Sequence, residues 1–153
     1  MRNYKLGTLV LVMIGILILT VVGLGIYNWY DQTRVLSYEK VIEREYGSDV
    51  KFDDERITLW MYLPDGNLIY TGDETQELIE TIIIGPANMK LQKTSGFTRR
   101  FRYRVSGTSA HLNLEATERE VGVGSDIYRV VGEDNQLLQA IEEIKDSVEW
   151  EES

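Results

Sequence analysis

The stretch RITLWMYLPDGNLIY, residues 56–70, decides the fold class. Across 56–63 the apolar Ile57, Leu59, Met61 and Leu63 alternate with Arg56, Thr58, Trp60 and Tyr62, the two-residue period of a strand with one buried face. Pro64-Asp65-Gly66-Asn67 supplies turn chemistry, since Pro presets φ and Gly or Asn accept a left-handed backbone. Leu68-Ile69-Tyr70 then returns as the partner strand, so the spacing predicts an antiparallel hairpin.

Downstream, Asp73 and Gln76 form the two halves of a capping box, and Gly85-Pro86 stops the helix they open. Within it Leu78, Ile79, Ile82 and Ile83 make one apolar stripe, with Glu74, Glu77 and Glu80 outward. Residues 87–96 show no period and read as an irregular edge or helix end. Alternation resumes over 97–105, with Phe97, Phe101, Tyr103 and Val105 on one face beside Arg99, and Thr98, Arg100, Arg102 and Arg104 on the other.

Closing a hairpin at Gly107-Thr108 pairs Val105 with Ala110, Tyr103 with Leu112 and Phe101 with Leu114. The same register sets Arg104 beside His111, Arg102 beside Asn113 and Arg100 beside Glu115. A glycine-punctuated extended piece, 121–124, leads to a strand over 127–131. Asp134 or Asn135 caps a last helix whose stripe is Leu137, Leu138, Ile141, Ile144 and Val148, and an acidic tail, 149–153, carries Trp150. These elements predict an α+β domain over 49–148, a small antiparallel sheet with two helices packed on one face.

Upstream of the hairpin, Val35, Tyr38, Val41, Ile42 and Tyr46 recur at helical spacing, which predicts an amphipathic juxtamembrane helix within 31–48. Residues 6–30 hold no formal charge and are rich in Leu, Val and Ile, long enough at about 1.5 Å each to cross the roughly 30 Å hydrocarbon core. Arg2 and Lys5 precede this run, Asp31 follows it, and Tyr27, Trp29 and Tyr30 cluster at its far end. The pattern predicts a single-pass transmembrane helix in the cell membrane, residues 1–5 in the cytoplasm and the C-terminal domain extracytoplasmic. A cleaved signal sequence is the competing reading; the run exceeds the roughly 7–15 apolar residues of such a segment.

The 153 residues include 25 acidic and 16 basic ones, a net charge of −9. All the acids, and every base except Arg2 and Lys5, lie after Tyr30, so the domain is acidic and repels nucleic-acid backbones. With no cysteine, disulfides, thiolate metal sites and a lipid-modified cysteine are excluded. His111 is the single histidine, expected mid-strand opposite Arg104 with no orienting carboxylate, which argues against a triad. Asp53-Asp54-Glu55 and Glu133-Asp134 lack the alternate spacing of a calcium loop. No Gly-rich phosphate motif occurs, so no catalytic residue, cofactor or metal is expected.

One feature looks directed outward. Arg100, Arg102 and Arg104 on one strand face repel each other unless anions lie across them. With His111 they form the candidate binding patch, and three partners suit it: acids of the domain such as Glu115, an anionic polymer, or an acidic envelope protein.

The strand Ile57-Thr58-Leu59-Trp60, the helix introduced by Gly72-Asp73 with Leu78-Ile79 and Ile82, and the Tyr128 strand before the last amphipathic helix carry a resemblance. Over 56–146 the chain resembles the uncharacterised extracytoplasmic domains of Bacillus-type single-pass membrane proteins and lipoproteins. The resemblance implies an anchored extracytoplasmic module, here held by a helix where lipoproteins use a cysteine, and no known activity. The functional expectation is a non-enzymatic binding or accessory module of a bacterial cell envelope. The alternatives are a carboxylate-dependent envelope enzyme, which needs no signature beyond its acids, and a pilin-like assembly subunit. Against the latter, Val12 stands five residues after Gly7, where that pattern has Glu.

Overall fold

The computed structural model describes residues 2–47, 58–71, 75–94, 101–107, 112–147 and 149–152. The chain divides into two compact units, Met1–Arg34 and Val35–Ser153.

The first unit is one helix, α1 (Arg2–Thr33). Its segment Gly7–Thr33 has 27 residues and a mean hydropathy of 3.0, long and apolar enough to cross a membrane. The Leu, Ile and Val side chains between residues 9 and 26 are exposed all round the helix, so no stripe is reserved for packing on protein. The helix runs on past the aromatic cluster. The Thr33 hydroxyl donates to the Trp29 carbonyl at 2.9 Å, and Arg34 pairs with Asp31 at 2.6 Å, cancelling the first two charges after the apolar run.

The second unit contains β1 (Val35–Ser37), α2 (Tyr38–Tyr46), β2 (Leu59–Tyr62), β3 (Leu68–Thr71), α3 (Thr75–Ile84), β4 (Lys90–Lys93), β5 (Tyr103–Gly107), β6 (Asn113–Ala116), β7 (Glu120–Val123), β8 (Asp126–Val130), α4 (Gln136–Ser147) and β9 (Glu151–Glu152). The strands join in one antiparallel sheet in the order β1-β4-β8-β7-β6-β5-β2-β3-β9. The fold is α+β. The predicted hairpin is present, pairing Leu59 with Thr71 and Tyr62 with Leu68. Its turn is closed by the Leu63 amide on the Asn67 carbonyl at 2.9 Å, with Gly66 at φ 92°.

Alternation places Leu59, Met61, Val105, Leu114, Val121 and Tyr128 on one sheet face, all buried. The stripes of α2 (Tyr38, Val41, Ile42), α3 (Leu78, Ile79, Ile82) and α4 (Leu137, Ile141, Ile144) meet that face in a single apolar core. Asn135 caps α4. Its Oδ1 accepts from the Leu137 and Leu138 amides at 3.1 and 3.2 Å, while its Nδ2 donates to the Thr117 carbonyl at 2.7 Å. Asn135→Ala removes a cap worth about 1 kcal/mol and orphans a part-buried carbonyl for about 1 kcal/mol more. A denaturant midpoint lowered by roughly 2 kcal/mol of stability is expected, and Asn135→Asp, which keeps the cap alone, should fall between.

Several expectations are corrected. Residues 35–37 are not helical: they pair as β1 with β4, since Tyr38 must start the helix with its amide on the Met89 carbonyl at 2.8 Å. Residues 90–93, read as irregular, are the strand next to that edge. Only Leu91 reaches the core there, so no alternation was visible. The helix expected beside the membrane segment packs on the domain as α2, so among the described residues three helices cover the sheet face. The β5–β6 register is Val105 with Leu114 and Tyr103 with Ala116, an even slip from the expected pairing that keeps Tyr103, Val105 and Leu114 inward. Part of the acidic tail is β9, and Trp150 packs on the core. The expected cap Asp73 lies outside the described residues, as does Val148.

Candidate binding surface

The sheet face away from the helices is built from the other half of the alternation. Trp60 pairs with Tyr70 on β3 and with Ser106 on β5, while Tyr62 pairs with Leu68 and Arg104. Arg104 in turn lies across from Glu115 on β6, and Glu115 from Gly122 on β7. Residues directly opposite in an antiparallel ladder share a face, so these side chains form one continuous surface. No described helix covers it.

Its centre is aromatic. The Trp60 and Tyr70 rings sit 4.9 Å apart at 33°, an offset arrangement that ring quadrupoles favour. Tyr62 is 43% exposed, and the Arg104 guanidinium stands 5.9 Å from its ring. Arg104 forms an ion pair with Glu115, whose side chain is 12% exposed against 52% for the arginine. The arginine therefore keeps a free flank toward solvent. At the outer edge the Tyr70 hydroxyl donates to Glu151 at 2.6 Å, and this bond holds the phenol above its ordinary value.

Gly122 is required by this surface. A Cβ there would stand 3.0 Å from the Glu115 Cβ and 3.4 Å from the Phe101 ring, so the missing side chain makes room for both. Phe101 thus lies on the open face, contrary to its expected place beside Tyr103 and Val105. The cause is a local irregularity. The Arg102 amide bonds to the Ala116 carbonyl at 2.9 Å although Tyr103 is already the residue paired with Ala116, so two residues face one and the alternation is broken.

That break dissolves the arginine stripe. Arg102 turns toward the helix layer, 3.1 Å from Glu142 of α4 and 3.8 Å from Glu118, whereas Arg104 stays on the open face. Both described arginines meet acids of their own domain. Arg100 and His111 lie outside the described residues, and Glu115 is the ladder neighbour of Arg104 instead of Arg100. Of the two lysines near the stripe in sequence, Lys93 is paired with Asp126 at 2.6 Å on the far side of the sheet.

The aromatic residues were not singled out as a site in the sequence. A signal was present: Trp60 and Tyr62 occupy outward positions of an alternating strand, where polar residues are usual. Bringing Tyr70 to Trp60 needs the cross-strand register as well.

A second feature is an open hollow of about 970 Å³, lined by residues 117–120 at the β6–β7 turn and by Arg129, Val130, Gly132 and Glu133. It is the by-product of a tight turn. The Thr117 hydroxyl accepts from the Arg119 and Glu120 amides at 3.3 and 3.0 Å, and Arg129 lies across from Glu120 in the ladder. Among the described residues no group of three or more acidic or histidine side chains is placed to hold a metal ion. No protein-family model, curated protein or solved structure matches the chain.

Proposed function

We propose that this protein is a membrane-anchored binding or accessory module of a bacterial cell envelope, which captures a partner on the open face of its sheet. The observation that carries this reading is the exposed Tyr62 and the half-buried Trp60–Tyr70 pair on one open surface beside Arg104. Aromatic and arginine side chains are the ones most enriched where proteins bind one another. An exposed aromatic surface on an otherwise acidic, well-solvated domain has a cost that binding repays. Anchoring is supported by α1, uniformly apolar over 27 residues. The proposed orientation, domain outside, is supported by Arg2 and Lys5 before the run and the self-cancelling Asp31–Arg34 pair after it.

Both parts are testable. Because the chain has no cysteine, a single cysteine introduced at the exposed Glu143 reports on topology. It should react with a membrane-impermeant maleimide on intact cells, and protection until lysis would reverse the orientation. For binding, a photo-crosslinking residue at Tyr62 should capture one envelope protein in intact cells. Trp60→Ala should lower that capture by about ten-fold, the effect of losing one aromatic anchor of roughly 1.4 kcal/mol or more. Equal capture from Glu143 on α4 would sink the assignment of the face.

A further inference from the structure

The aromatic surface reaches the edge of the sheet, and the edge is where the fold is least committed. β3 is bordered on its outer side by β9, a ladder of two residue pairs, Ile69 with Glu152 and Tyr70 with Glu151. Two pairs are too few to outweigh the entropy of ordering the segment unless side chains help. The help is local. Trp150 packs on the core and its indole donates to the Lys145 carbonyl at 3.1 Å, and Glu151 accepts from the Tyr70 hydroxyl. Glu149 and Glu151 repel one another within this short stretch.

A sheet edge is a template for another strand, and addition of an extended peptide is a recurrent mode of recognition. Here the segment already seated shows what the edge accepts: an antiparallel strand with a hydrogen-bond acceptor opposite Tyr70 and an aromatic residue immediately before it. The residue opposite Tyr70 falls on the open face beside Trp60, so an added strand would deliver alternate side chains onto the aromatic surface.

We infer that the outer edge of β3 is an acceptor for an extended segment of a partner protein, and that residues 149–152 occupy it in cis until that segment displaces them. The partner segment has the order aromatic then acidic, matching Trp150-Glu151. This rests on the reading of the open face as the binding surface and adds a backbone contact to it.

The test uses the full chain in lipid nanodiscs and a fluorescent heptapeptide of residues 147–153, SVEWEES. Glu151→Pro removes a backbone donor and frees the edge. If the edge is open in a tenth or less of the unaltered molecules, the peptide should bind the variant at least about ten-fold more tightly. Hydrogen exchange should show the peptide protecting the amides of β3 and leaving α3 and α4 unchanged. A peptide N-methylated at the position of Glu151 should lose binding. A native-like variant that ignores the peptide overturns the inference, and so does equal binding of the N-methylated peptide.

Should the variant fail to fold, the unaltered chain decides. The β3 amides should exchange by local opening, well before those of β5 and β6, and exchange only with global unfolding overturns the proposal. Trp60→Ala separates the two ideas. Peptide binding that survives it supports the edge without the aromatic face, whereas Tyr62 crosslinking without peptide binding supports the face and removes the edge.

Discussion

Removing residues 2–33 is expected to leave a folded, soluble domain and to empty the membrane fraction of this protein. The core that holds the sheet to its helices is contained in the unit Val35–Ser153, so the deletion takes away none of it. What it takes away is the one described helix long and apolar enough to cross a membrane, and with it, on the proposed reading, the affinity for lipid. Each central Leu, Ile or Val favours insertion by roughly 0.3–0.6 kcal/mol, and the segment 6–30 of α1 sums many of them without a charge among them. One arginine at Leu17 costs about 2.5–3.5 kcal/mol, less than that sum, so Leu17→Arg alone should weaken retention without releasing the chain. Fractionation of carbonate-washed membranes, with circular dichroism of the soluble product, checks both statements. A deletion product that is unfolded, or a full chain that is soluble without detergent, contradicts the division of labour between the units.

The second large effect is expected at Tyr38. Its ring is wholly buried where α2, α3 and the sheet meet, and its hydroxyl donates to the Ile82 carbonyl at 3.0 Å. Tyr38→Ala should cost about 3–5 kcal/mol, a large share of the 5–15 kcal/mol that such a domain possesses. Tyr38→Phe should cost only about 1 kcal/mol at neutral pH, the net worth of the hydrogen bond. Its distinguishing effect lies in alkali.

Burial, and then the neighbouring Tyr46, push the Tyr38 phenol well above its ordinary value. The folded state therefore keeps a proton that the unfolded state gives up above about pH 10. The associated stability is present in full below that pH and is lost as pH rises through it. Tyr46 acts in the same direction, its phenol raised chiefly by burial and opposed by backbone bonds from Asn113 and Gly124. Denaturant midpoints measured from about pH 9 to about pH 11.5 should fall, and fall less steeply in Tyr38→Phe. Equal slopes would assign the alkaline loss elsewhere.

The elements that read correctly from the sequence are those whose pattern is complete within one segment. The hairpin of β2 and β3 carries its alternation and its turn in fifteen consecutive residues, and α4 carries its cap and stripe in ten. The elements that were hidden depend on other segments. β1 looks helical because Val35 falls in phase with Tyr38 and Val41, and only the ladder to β4 extends it. β4 itself has a single buried residue, Leu91, so its strand character comes from its neighbours.

The same contrast holds at the surface. The arginine stripe was a period-two inference, and one broken step at Arg102 sent its members to opposite layers. The aromatic surface depends on a partner across the turn, Tyr70, and on register across three strands, neither of which a single strand's composition reveals.

The route of the chain out of α1 has a mechanical consequence. Only Arg34 separates the helix from β1, and β1 is the outermost strand, so any tension between anchor and domain enters the sheet at its rim. The β1–β4 ladder has three residue pairs and can open one pair at a time from Val35. Opening it frees three extended residues, up to about 10 Å of chain, and lifts Leu36 off the core before Tyr38 is reached. If α1 anchors the chain as proposed, β1 is the first described strand to meet a pull on it.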